Sequence, residues 1–236
     1  MKWIQGPDML SRTAKQTFYA LAGPVMRVNG WIYKAVRAPR GGGDAPVRVH
    51  LGPGQKAYLD GWINIDANMF TGKCDVWADL RNPLPFGDDT VDAVYSHHMI
   101  EHLPDLEGHF REVHRVLAPG GVYRAGGPNG DSAIQKFTEG DNDWFSDWPD
   151  AYDSTGGRFV NFVFCRNEHL TILTQSFLEE IAGRAGFSRM DTMMPVKETG
   201  HPDLFGDCLA KEYETDYETP RTLIMEFQKS PGAGPS

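Results

Sequence analysis

The run Val47-Arg-Val-His-Leu-Gly-Pro-Gly-Gln55, followed by Trp62-Ile-Asn-Ile-Asp66, limits what this chain can fold into more than any other segment. It reads as a buried strand, a glycine turn and a second strand ending on a carboxylate. Such a layout belongs at the carboxyl edge of a parallel sheet, where glycines let the backbone approach a ligand and an acid accepts from ribose hydroxyls. A dinucleotide site needs G-x-G-x-x-G, a helix N-terminus facing a pyrophosphate and an acid about 20 residues further on. Here Lys56 and Ala57 stand where further glycines would be, and eleven residues separate Gly54 from Asp66. That crossover is too short for a pyrophosphate-binding helix. A nucleoside without a diphosphate fits it better, and an oxidoreductase is disfavoured.

Downstream, apolar runs alternate with helical stretches, the pattern of an α/β doubly wound sheet with helices on both faces. Strands are expected at Arg48–Leu51, Ile63–Ile65, Val76–Ala78, Ala93–Ser96, Val122–Ala125, Arg189–Met193 and Thr222–Phe227. Helices are expected at Leu106–Leu117, stopped by Ala118-Pro-Gly-Gly121, and at Leu170–Ala185. The segment Asp131–Arg166 breaks the alternation; it is acidic and dense in aromatics, and it reads as the wall of an acceptor pocket.

Leu51-Gly-Pro-Gly54, Asn64-Ile-Asp66, Ala78-Asp-Leu80, Pro83-Leu-Pro-Phe86 with Val91-Asp-Ala-Val94, Ser96-His-His-Met-Ile-Glu-His102 and Arg115-Val-Leu-Ala-Pro-Gly-Gly121 occur in this order. In these elements the chain resembles the class I S-adenosylmethionine-dependent methyltransferases, over about Val47 to Lys229. The resemblance implies a mostly parallel, seven-stranded Rossmann-like sheet with a reversed last strand at its edge, and S-adenosyl-L-methionine as cofactor. It places Gly52 and Gly54 along the methionine and ribose end, Asp66 on the ribose hydroxyls, Asp79 and the Leu80 backbone at the adenine, and Ser96 at the same edge. A plain tight turn for the glycines, a solvated acid for Asp66 and a helix cap for Asp79 are the competing readings. The chain is also similar to small bacterial methyltransferases of glycan and natural-product pathways, mainly in the cofactor half.

At 236 residues one domain suffices: a helical cap over residues 1–45, the methyltransferase domain over 46–229 and a disordered tail over 230–236. Net charge of −9 argues against nucleic acid as a partner. Residues 1–40 carry seven Lys or Arg against one Asp, interleaved with Phe18, Tyr19, Leu21, Val25, Val28 and Trp31. This basic amphipathic segment reads as a cap packed on its own acidic domain, ahead of a membrane-surface contact. Without an apolar span or signal peptide the protein is expected to be cytoplasmic, with no integral membrane contact, and a homodimer stays open. Cys74, Cys165 and Cys208 form no C-x-x-C pair and are expected to be reduced.

Methyl transfer from a sulfonium is an in-line displacement, so the protein must align donor and acceptor, remove a proton and exclude water. His97 and His98 leave the fourth strand beside the transferable methyl group; His98 is the expected base, because alternate side chains point to opposite faces. His102 divides between capping the next helix and touching the acceptor, and His169 reads as a cap or surface group. Asp141, Asp143, Trp144 and Trp148 are the expected substrate-binding residues, since aromatic faces with carboxylates hold sugars. No metal ligand is assigned. Magnesium on Asp141, Asn142 and Asp143 is conceivable but not favoured. The expected reaction is O-methylation of a saccharide or glycosylated metabolite. N- or O-methylation of an aromatic or lipid-like metabolite and a binding module without turnover are the alternatives.

Overall fold

A computed structural model describes residues 12–68 and 72–232. The first eleven residues of the expected cap and the last four of the expected tail lie outside the described residues. Seven strands, β1 (Arg48–Leu51), β2 (Ile63–Asp66), β3 (Val76–Trp77), β4 (Val91–His97), β5 (Leu117–Pro128), β6 (Phe187–Met193) and β7 (Thr222–Lys229), form one sheet in the order β3-β2-β1-β4-β5-β7-β6. The pairings from β3 to β5 are parallel, and β7 is antiparallel to both neighbours. The reversed strand is therefore internal, inserted between β5 and β6, and β6 is the edge. Burial explains the exchange: Thr222 to Phe227 are all buried, whereas Ser188 and Arg189 of β6 are exposed. The more apolar strand takes the inner position.

One face of the sheet packs under α1 (Arg12–Val36), α2 (Leu106–Val116) and α5 (Gln175–Ala185). Phe110, Val113 and Val116 of α2 meet Leu178, Ile181 and Ala182 of α5 over Val49, Leu51, Val94 and Tyr123. α2 starts where Asp105 accepts from the Gly108 amide at 2.8 Å. α5 begins five residues later than its apolar periodicity predicts, at the Thr174 cap. Leu170 is held extended by its amide bond to the Glu101 carbonyl, and Leu173 by a bridge to Asn129.

Trp62, Tyr95 and Val122 on the other face are covered by Phe205 of a short helix, α6 (Pro202–Phe205), and by Cys208. The same insertion carries Glu212, which grips Arg124 of β5 through two bonds of 2.8 and 3.0 Å while Glu226 of β7 accepts a third at 2.6 Å. All three side chains are buried, so the arginine is paired on every side it presents.

α1 caps the domain with one stripe only. Met26 is buried and Tyr33 packs on Phe86, while Asn29 donates to the Trp77 carbonyl at 2.8 Å. Leu21, Val25, Val28 and Ile32, spaced four, three and four apart, stay exposed on a second stripe. The expectation of a simple packed cap is corrected to that extent: a helix apolar on two faces can bury only one against a single sheet. No described helix is long and apolar enough to cross a membrane.

Asp131–Arg166 is not an irregular wall. It holds α3 (Gly130–Glu139) and α4 (Thr155–Phe164), capped by Asn129 and Ser154. Between them Trp144 and Phe145 pack on Phe159, Phe162 and Ala133 as a small core of their own. The three cysteines are free.

Candidate active site

The carboxyl ends of β1 and β2 and the residue Met99 beyond β4 meet at the glycine turn. The β1–β2 connection contains two turns, closed by the Ala57 amide on the Pro53 carbonyl and by the Trp62 amide on the Leu59 carbonyl, and no helix. Gly52 and Gly54 sit at φ +74° and +55°, which side chains resist. At Gly52 a Cβ would lie 2.6 Å from Met99 Cγ, so this position also needs hydrogen for space. Asp66 accepts from the Gly54 amide at 2.8 Å and the Asn68 amide at 2.8 Å. One carboxylate thus ties the end of β2 to the glycine turn.

Asp79 is buried at the end of β3, and its two oxygens bind Arg81 Nε and Nη2 at 2.9 and 2.7 Å, with the Arg81 amide at 3.0 Å. Arg81 in turn lies over the Tyr19 ring of α1 at 3.7 Å. Burial first, then the charges of Asp79 and Asp66, push the Tyr19 hydroxyl up. A cavity of about 350 Å³ is lined by Tyr19, Gly23, Arg27, Asp79, Arg81 and Asn82. Its volume falls at the lower end for ligand pockets. The carboxylate that would accept from adenine is engaged by a guanidinium, and α1 roofs that end of the site. Leu80 packs, half-buried, against the core.

Ser96, expected at the cofactor edge, faces the core. Its side chain points inward, fully buried, and its hydroxyl pairs with the Tyr123 hydroxyl at 2.8 Å, which also meets His109 Nε2 at 3.0 Å. β4 runs on to His97, so strand alternation sends Ser96 to the core face and His97 to the other. Burial pulls the His97 imidazole well below its usual range, and its Nε2 is shut from solvent without a partner among the described residues.

His98 breaks the alternation at φ +52° and turns outward. Its side chain is exposed, with Nδ1 3.2 Å from Oε1 of Glu101 and Nε2 3.5 Å from the Thr222 hydroxyl. An ionised carboxylate only accepts, so Nδ1 carries the proton and Nε2 is the unprotonated nitrogen, placed to accept from the Thr222 hydroxyl. That is the tautomer a general base requires.

Glu101 itself is fully buried in the turn Ile100–His102. Burial pushes its carboxyl up, but the hydrogen bond from His98 and the neighbouring His98, His102 and His169 outweigh it and draw it below its usual range. Sequence reasoning weighed Glu101 only with His102, as structural as often as catalytic, and read His169 as a cap or surface group. The structure puts His169 Nε2 4.0 Å from the same Glu101 oxygen, with the side chain mostly buried. It arrives there through Cys165, Arg166 and Asn167, three successive residues at φ +43°, +56° and +63°. A run of left-handed, non-glycine backbone has no signature in hydrophobic periodicity.

The expected acceptor residues scatter. Trp144 is 3% exposed and donates from Nε1 to the Thr219 carbonyl at 2.8 Å, so it is part of the α3–α4 core and presents no face to a ligand. Asp141 pairs with Lys136 at 3.1 Å and accepts from the Trp144 amide. Asp143 and Trp148 are exposed.

A family model described as a methyltransferase domain matches residues 65–125, from the end of β2 to β5. Over 40 residues the chain is 50% identical to the sterol 24-C-methyltransferase of Aspergillus fumigatus, a stretch covering 17% of this chain and 11% of that protein. Over 58 residues it is 34% identical to the sterol 4-C-methyltransferase of Caenorhabditis elegans, covering 24% and 17%. The chain therefore spans between 11% and 17% of the length of these relatives. Among solved structures, a S-adenosylmethionine-dependent methyltransferase from Thermotoga maritima, described as a possible histamine N-methyltransferase, superposes with a TM-score of 0.51 at 14% identity, over 93% of this chain and 96% of that one. At that identity the likeness is one of fold.

Proposed function

We propose that the chain is a class I S-adenosylmethionine-dependent methyltransferase, a reading supported by the methyltransferase-domain match over residues 65–125, and that it transfers a methyl group to a hydroxyl of a saccharide or glycosylated metabolite. The observation that carries the hydroxyl acceptor is the His98–Glu101 pair. A hydroxyl must lose its proton as the methyl arrives, and a partly exposed imidazole, held by a buried carboxylate in the Nε2-free tautomer, takes it. His98 Nε2 would take the proton from the acceptor oxygen, and S-adenosylmethionine, when bound, would supply the sulfonium methyl that this oxygen displaces, with the demethylated cofactor as leaving group. Gly52, Gly54 and Asp66 hold the nucleoside, and α1 with Tyr19 shields its adenine end from water.

The saccharide class is supported by exposed Trp148 and Tyr152 among the exposed carboxylates Asp143 and Asp147 on the α3–α4 connection. A second reading, an apolar acceptor, has its own support: Ile134, Phe137, Val160 and Phe164 leave α3 and α4 with an exposed apolar face, and the named relatives are sterol methyltransferases. Labelled S-adenosylmethionine offered with a panel of glycosides and a panel of sterols decides between them. Label in the glycosides as an acid-stable, base-stable ether supports the first reading; label confined to the sterols replaces it with the second.

A further inference from the structure

Beside its hydrogen bond from His98, Glu101 Oε1 faces two further imidazoles at separations too long for hydrogen bonds. His102 donates from Nδ1 to the Glu168 carbonyl at 2.9 Å, and His169 donates from Nδ1 to the Val163 carbonyl at 3.0 Å. In its neutral form each imidazole then carries its lone pair on Nε2, and both Nε2 atoms face one oxygen: Nε2 of His102 lies 3.8 Å and Nε2 of His169 4.0 Å from Glu101 Oε1. With both rings neutral, two lone pairs face a carboxylate oxygen that already accepts from His98, an arrangement that a cation between them would stabilise. A proton on either Nε2 would draw the pair to hydrogen-bond distance, near 2.8 Å, and neither separation approaches that. The other Glu101 oxygen, Oε2, is buried and has no hydrogen-bond partner among the described residues.

We propose that Glu101, His102 and His169 form a site for a divalent first-row transition metal. Their three ligand atoms lie within 4.8 Å of one another. Nitrogen and oxygen ligands about 2.0–2.2 Å from a zinc-sized ion stand roughly 3.0–3.5 Å apart, so a shift of about half an ångström in each side chain closes the site. The backbone carbonyls on both Nδ1 atoms are the outer hydrogen bonds that orient metal-bound imidazoles and raise their basicity. Two imidazoles and one carboxylate select zinc, iron, cobalt or manganese over magnesium and calcium, which prefer oxygen ligands throughout. Three protein ligands leave coordination positions for a substrate oxygen, next to the base that would deprotonate it. The two halves of the site come from distant parts of the chain, and the strained segment Cys165–Asn167 delivers the second. Such strain persists where the surroundings over-determine it.

The assignment stands on ligand geometry and does not depend on methyl transfer, so its test reads metal directly. Full-length protein stripped with chelator is titrated with Co²⁺ under anaerobic conditions and followed by its visible d–d bands, then competed with Zn²⁺ and, separately, Mg²⁺. The expected result is one saturable equivalent of Co²⁺, displaced by Zn²⁺ and not by Mg²⁺. His102→Ala and His169→Ala should each weaken binding by roughly a hundredfold or more, while His114→Ala, on the far side of α2, leaves it unchanged. Loss of the bands in both site variants with His114→Ala intact supports the site. Absence of a saturable Co²⁺ spectrum in the unsubstituted protein overturns it, without any variant having to fold. So does binding that survives both substitutions. S-adenosylmethionine affinity measured on the same stripped sample keeps the two conclusions apart, since cofactor binding without metal binding fails only the metal site.

Discussion

His98 Nδ1 stands 3.2 Å from Glu101 Oε1, and of the two partners the histidine is exposed while the carboxylate is fully buried. A buried carboxylate is costly to leave unpaired, so the contact fixes both the ring orientation and the tautomer of the residue that faces the acceptor. His97, its neighbour in sequence, points the other way into the fold, with the two rings edge to face at 4.5 Å.

His98→Ala should lower kcat by roughly 10²–10⁴-fold with S-adenosylmethionine affinity retained, the loss expected for a general base. Glu101→Gln keeps the shape but lets the imidazole rotate and change tautomer, and should lower kcat by a smaller factor. His97→Ala should change stability rather than rate. Steady-state kinetics with titration calorimetry check this. Near-normal turnover in His98→Ala would remove it as the base and leave the family assignment intact.

Asp66 is bonded to the Gly54 and Asn68 amides and, by our proposal, to the ribose. Asp66→Ala should weaken S-adenosylmethionine by about 1–3 kcal/mol, roughly ten- to a hundredfold. Asp66→Asn keeps an acceptor oxygen but sets an amide against one of the two backbone N–H groups, so it should lose affinity as well. A folded Asp66→Ala protein with unchanged calorimetric Kd would contradict the assignment.

The two tryptophans separate packing from binding. Trp144→Ala empties the α3–α4 core and frees the Thr219 carbonyl, and should cost about 3–5 kcal/mol of stability. Trp148→Ala, 41% exposed, should cost far less and act on the acceptor KM. Chemical denaturation and acceptor titrations measure the two. Equal destabilisation by both would mean that Trp148 is structural too.

What sequence could show here was local. The glycine turn, Asp66 and the apolar strands are each fixed by a few contiguous residues, and all seven expected strands coincide with observed ones. α4 was illegible because Thr155-Gly-Gly-Arg-Phe-Val-Asn-Phe-Val-Phe164 carries two glycines and a run of aromatic and β-branched residues, poor helix formers that tertiary packing overrides. Ser96 was assigned to the pocket because the last residue of β4 could not be read, and one position of strand alternation decides which face a side chain takes. Glu101 and His169 meet only through the left-handed turn at Cys165–Asn167, and Arg124 meets Glu212 only through the insertion before β7. Contacts of that range carry no sequence periodicity.

Two histidines remote from the candidate chemistry set a pH dependence of stability. His50, hydrogen-bonded through Nδ1 to Asn64 Oδ1 at 3.1 Å, and His109, through Nε2 to the Tyr123 hydroxyl, are both pulled by burial from the usual 6.5 down to about 4. Each is neutral in the folded protein where the unfolded chain would take up a proton. Because the unfolded state then binds more protons, stability rises with pH across this window: it is fully present above about 6.5 and is lost as pH falls towards 4. The loss approaches about 1.4 kcal/mol per pH unit for each histidine in the middle of the window. Thermal denaturation between pH 7.5 and 5 should therefore show a falling Tm in the unsubstituted protein. The double substitution His50→Gln and His109→Gln keeps a polar group at both positions and removes both titrations. Its Tm should be lower at pH 7.5 but fall less steeply toward pH 5, while carboxylates, which titrate below this window, contribute equally to both proteins. Parallel Tm profiles for the two proteins would show that neither imidazole is held neutral by the fold.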